Sequence, residues 1–212
     1  QDLIESLSDK LKPISRHSKF DDLPGILTAV DGTVIPALSK MAWAVWTSDR
    51  QAVKAHTQFD LEKQVPIKIT VTHANGGEIE TLETELEAGR IYVQDRGYAS
   101  LALFQKILDA QSSFVCRLRD NAIYEVLEDS PLTPDAQAAG IVFDRKVRLG
   151  SIGKTREQLS VPIRVVAVRC TPHIKRAKTG RGGPEQGETL LIATDRFDLD
   201  ADVIALIFKH RR

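Results

Sequence analysis

Asp31 and Asp95 are the residues of this 212-residue chain best placed to do chemistry together. Each closes an apolar run of strand-forming composition: Ile26-Leu27-Thr28-Ala29-Val30 runs into Asp31-Gly32, and Ile91-Tyr92-Val93-Gln94 runs into Asp95-Arg96-Gly97-Tyr98. Two carboxylates at strand tips on one side of a sheet offer hard anionic oxygens, the donors that magnesium takes, with manganese able to stand in its place. Read alone, Asp31-Gly32 is also a common turn pair, and Asp95 is also a good helix N-cap.

The elements that must position these acids follow from the hydrophobic periodicity. Leu3, Ile4, Leu7 and Leu11 recur at helical spacing before Pro13, and residues 1–24 read as the remnant of an upstream helical region. Strands are predicted at 26–31, 33–37, 52–60 and 65–72, with Asp60-Leu61-Glu62-Lys63 as a hairpin connection. An acidic short helix over 78–87 precedes the strand 90–94 that leads to Asp95. Leu101, Phe104, Ile107 and Leu108 share one face of a helix from about 98 to 110, entered through a tight turn at Gly97. Strands are then predicted at 113–118, 122–127, 141–149, 161–170 and 189–194. A last helix starts near 200, with Asp198 and Asp200 as capping acids and Ala201, Ile204, Ala205 and Phe208 at helical spacing. Trp43 and Trp46, three apart, read as packing residues.

Composition narrows the class. With 29 basic and 29 acidic residues the net charge is zero, which argues against a simple nucleic-acid coat. The charge is unevenly spread, because residues 145–181 hold eleven Lys or Arg against the single acid Glu157. Cys116 and Cys170 lie in apolar runs, where a free thiol acts as a small hydrophobe, and a cytoplasmic compartment fits them. No run approaches the roughly 20 apolar residues of a membrane span, and no secretory signal opens the chain. The five histidines lack paired spacing and partner cysteines, which argues against zinc. Tyr124 and Phe143 are the aromatics of the 120–196 region that could stack on a base, and both read better as core. The chain opens on Gln1 and stops within a helical pattern, so it reads as a fragment.

The segments LTAVDGTVIPAL, AHTQFDLEKQVPIKITVT and GRIYVQDRGYAS, in that order and spacing, resemble the DDE transposases of bacterial insertion sequence family 4. The resemblance runs from about Leu27 to Arg212, and Asp-Arg-Gly-Tyr is its most specific piece. It implies an α/β fold with a ribonuclease H-like mixed sheet: a core at 25–119, a β-rich basic insertion at 120–196, and a truncated last core helix at 197–212. It implies that Asp31 and Asp95 are the first and second catalytic and metal-holding acids. In such enzymes two divalent ions about 3.5–4 Å apart drive in-line phosphoryl transfer on DNA. The third acid of the family is a glutamate, in a signature where Phe208 here replaces a tyrosine and Arg211 matches an arginine. That glutamate would fall four positions beyond Arg211, outside these residues, and a two-acid fragment is expected to turn over slowly or not at all. Arg96 and Tyr98, after the second acid, read as contacts to the DNA backbone or as a surface arginine and a packed tyrosine; Arg117 and Arg119 alternate along the strand after the helix and face a DNA channel or solvent; Arg211 matches the signature arginine; and Lys175, Arg176, Lys178 and Arg181 form a basic loop that either holds DNA or is solvated. The implied partners are double-stranded DNA, as transposon ends and target, and a second copy in a synaptic homodimer. The implied setting is bacterial cytoplasm, at the nucleoid and off the membrane. Two other readings stand beside it: an inactive remnant that only binds DNA, and a nuclease that hydrolyses without strand transfer.

Overall fold

The apolar run that begins at Ile26 does not stop at Asp31. In the computed structural model, strand β1 continues through eleven residues, Ile26–Pro36, as one element. The structure describes residues 4, 10–13, 18–20, 23–36, 41, 43–47, 50–153, 156–170 and 189–211, so most of the amphipathic stretch at the start and the basic loop at 171–188 lie outside it. The chain divides into two compact units, Gln1–Val93 with Asp109–Ser112, and Gln94–Leu108 with Ser113–Arg212.

In the first unit β1 is followed by β2 (Val45–Thr47), β3 (Arg50–Asp60), β4 (Val65–His73), a short helix α1 (Glu78–Glu83) and β5 (Arg90–Gln94). β3 pairs antiparallel with β1, β2 and β4, whereas β1 and β5 run parallel from Ile26 opposite Arg90 to Ala29 opposite Val93. An antiparallel set joined to one parallel strand makes this a mixed sheet, as the α/β expectation required. The β3–β4 connection forms where it was expected, because the Asp60 carboxylate accepts from the backbone N–H groups of Glu62 and Lys63 at 2.9 and 2.8 Å.

The break expected between 31 and 33 is absent for a physical reason. β3 offers β1 ladder partners on both sides of that point, Thr57 opposite Asp31 and His56 opposite Gly32. Gly32 serves a close approach rather than a turn, since a Cβ there would sit 2.6 Å from Glu78 Oε1. Asp31 is therefore an exposed mid-strand residue, one ladder face away from α1.

The two faces of these strands differ. Under α1 lies a polar layer. The His56 ring is 2.8 Å from Thr72 Oγ1, Gln58 donates to Glu85 at 3.0 Å, Thr70 donates to Glu85, and Lys54 lies 3.3 Å from Glu78. The Asp31 face carries Ile35, Ile69 and Val71, each at least 39% exposed. Trp43 and Trp46 are also exposed, at 56% and 42%, which corrects the expectation that they pack. Spacing of three implies a shared face only on a helix, and Trp46 sits in the short strand β2.

The second unit holds α2 (Leu101–Asp109, whose last residue falls to the first unit), β6 (Ser113–Arg117), β7 (Tyr124–Ser130), α3 (Pro134–Ala138), β8 (Ile141–Gly153), β9 (Arg156–Gln158), β10 (Ile163–Arg169), β11 (Thr189–Thr194) and α4 (Ala201–His210). Its strands run in the order β6-β11-β10-β8-β7, with β9 on β8. The helix expected from 98 is split: a 3-10 turn at Arg96–Tyr98 comes first, and α2 starts only after Ser100, whose hydroxyl accepts from the Leu103 N–H at 3.4 Å. Phe104 of α2 stacks on Phe114 of β6 at 4.2 Å.

A buried ion pair fixes the start of α4. Arg164, 8% exposed on β10, makes a two-pronged pair with Asp144 of β8 at 2.8 and 2.6 Å. Its Nη1 donates to the carbonyls of Arg196, at 3.2 Å, and Leu199. Asp198 was expected to cap the helix and instead binds Arg196 through both oxygens, at 2.8 and 2.6 Å. Asp200 holds the N-cap position but makes no side-chain cap bond.

The basic block is also less exposed as charge than the sequence implied. β7 lies antiparallel to β8 and brings acids opposite the arginines, with Asp129 2.6 Å from Arg145 and Glu125 2.6 Å from Arg148. These acids precede the block in sequence, and strand pairing supplies them.

Two outcomes follow. Arg164→Ala is expected to cost about 3–5 kcal/mol, because it strands the Asp144 carboxylate in the interior; urea unfolding measures it. Burial, with the Lys54 charge beside it, holds the His56 imidazole below its ordinary 6.5, against the opposing pull of Glu78 and Glu85. The folded chain thus binds fewer protons at this ring than the unfolded chain, so the contribution is intact above pH 6.5 and is lost as pH falls below it. Urea midpoints between pH 5 and 8 should fall on the acid side, and His56→Gln should flatten that slope.

Candidate nucleic-acid interface around Asp95

β5 ends at Gln94 and Asp95 turns the chain, as the N-cap of the 3-10 turn. Its Oδ1 accepts from the Arg96 N–H at 2.7 Å. Its Oδ2 lies 3.8 Å from Arg211 Nη1, at the end of α4. The Cys116 thiol of β6 donates to the Asp95 carbonyl at 3.6 Å; burial pushes that thiol far up, helped by the nearby Asp95 charge and opposed by Arg211, so it stays protonated. The local cause of this arrangement is the sequence itself: four apolar or neutral residues follow Arg90 in β5, and the first acid after them satisfies the backbone donor of the turn.

Beside this turn an open recess of about 420 Å³ is lined by Arg96, Gly97, Arg119, Asp120 and Asn121. A turn in which Ala122 N–H donates to the Arg119 carbonyl at 3.0 Å brings the last three residues into place. Both arginines are exposed, and no described residue forms an ion pair with either. Asp120 is placed 3.8 Å from Arg117 Nη2. Gly97 has open space where a Cβ would be and no left-handed backbone angle, so the turn does not require glycine there. Two guanidiniums, an amide and an open backbone edge can hold an oxyanion.

The residues expected to act are distributed as follows. Arg96 and Arg119 meet at the recess. Arg117 ends β6 with its side chain 13% exposed, and Arg119 lies beyond the strand, so the two do not alternate along it. Tyr98 is 3% exposed, which makes it a packing residue of the core and not a surface contact. Arg211 faces Asp95. Lys175, Arg176, Lys178 and Arg181 lie outside the described residues. Phe143 is half-buried with Arg145 4.2 Å above its ring. Asp31 is in the first unit and Asp95 in the second. Asp120 and Asn121 were missed, although an Asp-Asn pair just after a strand is a turn signal.

Carboxylates suit a hard divalent ion as donors. Among the described residues, however, no group of three or more His, Cys, Asp or Glu is placed to hold a metal. Asp95 already accepts from Arg96 N–H and faces Arg211. The residues described do not by themselves make a metal site.

The described residues thus place a strand-end acid next to two exposed arginines on a mixed α/β fold. The chain belongs to the family described as Transposase DDE domain, whose profile matches residues 23–212. Divalent metal and DNA binding are typical of that family. Over 188 residues the chain is 26% identical to a Sinorhizobium fredii protein named "Putative transposase y4zB", covering 88% of this chain and 48% of that one. It is 25% identical over 99 residues to a Geobacillus stearothermophilus protein named "Probable transposase for insertion sequence element IS5377", covering 46% of this chain and 26% of that one. The chain thus spans about half the length of the first relative and a quarter of the second. Among solved structures it is similar to piggyBac transposase in a synaptic complex with hairpin DNA, at 13% identity and TM-score 0.46, covering 82% of this chain and 34% of that one. No helix among the described residues is long and apolar enough to cross a membrane.

Proposed function

We propose that this chain is catalytic-core sequence of a DNA transposase of the insertion-sequence type, and that the Arg96–Arg119 recess seats a phosphate of the DNA backbone. The observation that carries the reading is the recess itself: two exposed guanidiniums without a described ion-pair partner, beside the acid that the family resemblance marks as second. The partner is double-stranded DNA, and the reaction class is strand cleavage and joining at element ends.

Asp31 and Asp95 are the proposed acids. Along the chain each comes two residues after a member of the pair Ala29–Val93, the last couple in the parallel ladder of β1 and β5. The arginines orient the phosphodiester and offset its charge, and the Asn121 amide adds a neutral donor. Divalent ions would supply the activation of the attacking oxygen in a complete centre; the residues described here hold and align the DNA. A synaptic homodimer fits paired-end chemistry, and the assignment to insertion sequence family 4 rests on the segments quoted above.

The test is DNA binding as a function of salt. Each phosphate contact contributes about 0.9 to the slope of log K against log salt, so Arg96→Ala and Arg119→Ala should each lower the slope by about that amount, equally for unrelated duplex sequences. Unchanged slopes in both variants would sink the recess as the phosphate seat. Gly97→Ala should leave the unfolding midpoint within the equivalent of about 0.5 kcal/mol, because a Cβ at that position meets open space, and should weaken DNA binding if the added methyl crowds the recess that Gly97 lines. Asp95→Asn in the longer protein should abolish strand cleavage; retained cleavage would remove Asp95 from the chemistry. A magnesium-dependent nick by the 212-residue chain itself is the result that excludes a binding-only protein.

A further inference from the structure

The first unit has an open sheet edge at β4. This strand pairs with β3 on one side, and among the described residues no strand pairs with the other. The Ala74 N–H donates to the Ala52 carbonyl at 3.1 Å, next to the facing couple His73 and Val53. Bonded couples alternate in an antiparallel ladder, so Thr70 and Thr72 bond toward β3, while Ile69 and Val71 turn their N–H and C=O groups to the open side. Ile67 has no ladder partner at the bulge between Gln58 and Phe59. The His73 carbonyl is already taken, since it accepts from the Gly76 N–H and the Thr72 hydroxyl at 2.8 and 3.1 Å.

The side chains follow the same alternation. Ile67, Ile69 and Val71 share the face of β4 away from α1, with Ile69 and Val71 exposed, whereas Lys68 lies on the other face, 3.9 Å from Glu85. The strand that closes the opposite end of the order, β7, is guarded by charge. Two copies of β7 paired about Leu127 would set Glu125 against Asp129. Two copies of β4 paired about Ile69 would set Ile69 on its counterpart, Ile67 on Val71 and Lys68 on Thr70, with no like charges opposed.

We propose that the open edge of β4 is a self-association surface whose partner is a second copy of this chain, joined antiparallel about a twofold axis at Ile69. Backbone groups that water now serves bond across the axis, and the apolar couples line one face of the joint. The contact is isologous, so it consumes both edges and stops at two copies. It gives a two-copy assembly of the kind proposed above an interface that needs no DNA, and it rests on neither the recess nor the two acids.

The experiment is analytical ultracentrifugation of the DNA-free 212-residue chain, from about 5 to about 200 μM, the regime of a small interface. The mass should rise toward twice the monomer value. Ile69→Pro removes only the outward N–H, a change an edge strand tolerates, and should weaken association about tenfold or more. Ile69→Lys opposes two charges at the axis and should do the same, which keeps the reading if Ile69→Pro fails to fold. Ile35→Lys alters the same apolar face two strands in, on β1, and should associate as the unaltered chain does. Ile69→Cys in a Cys170→Ala background should oxidise to a covalent dimer, because facing Cα atoms of a bonded couple lie about 5.5 Å apart. Monomer at the highest concentration, growth past two copies, or undiminished association of a folded Ile69→Pro or Ile69→Lys overturns the proposal. So does loss of association in Ile35→Lys, or an Ile69→Cys chain that gives no covalent dimer. Because no DNA is present, failure here leaves the recess reading untouched, and failure of the salt-slope test leaves the dimer standing.

Discussion

The second unit depends on one buried guanidinium. Arg164 sits where solvent cannot share its charge, so each of its donors must find an acceptor, and the acceptors come from β8 and from the 196–199 turn. That requirement ties two neighbouring strands to the entry of α4. The helix in turn carries Arg211 to Asp95, so a residue in the strand interior determines which cation the strand-end acid meets. Hydrophobic burial along β10, where Val165, Val166 and Ala167 are fully buried, supplies the bulk of the packing but would tolerate more than one orientation of the turn. The ion pair and its carbonyl contacts select one.

Most of the fold was legible in the sequence where periodicity and turn chemistry agreed. The Asp60 turn, the strand leading to Asp95, the buried Phe104 and Ile107 of α2 and the start of α4 all fell where the side-chain pattern put them, while Leu103 was missed and Leu101 and Leu108 are only half-buried. The reading failed where a tertiary partner overrode a local signal. Asp31-Gly32 carries turn chemistry, yet β3 is long enough to pair on both sides of it, and Glu78 makes use of the missing Cβ. Asp198 has the composition of a cap, yet the nearby Arg196 takes both its oxygens. Of the interface, Arg96 was legible because it follows the acid directly. Its partnership with Arg119 and Asn121 was not, since those residues come after a helix and a strand and are brought in by a turn.

Charge shows the same limit. A count along residues 145–181 finds almost only positive groups, but a sheet is read across as well as along. Glu125 and Asp129 lie opposite Arg148 and Arg145 and offset them pairwise. Arg96 and Arg119, exposed and without an ion-pair partner among the described residues, lie outside the block.

The open apolar face of the first unit bears on how copies of this chain behave in solution. Ile35, Ile69 and Val71 stand on that face, with Trp43 and Trp46 also exposed, on a protein whose isoelectric point is about 7.1. Near neutral pH no net charge keeps copies apart, so colloidal stability is at its lowest where biochemical work is usually done. A buffer one or two units away from that point restores repulsion without touching the fold's apolar contacts, and the alkaline side does so while keeping the His56 ring neutral.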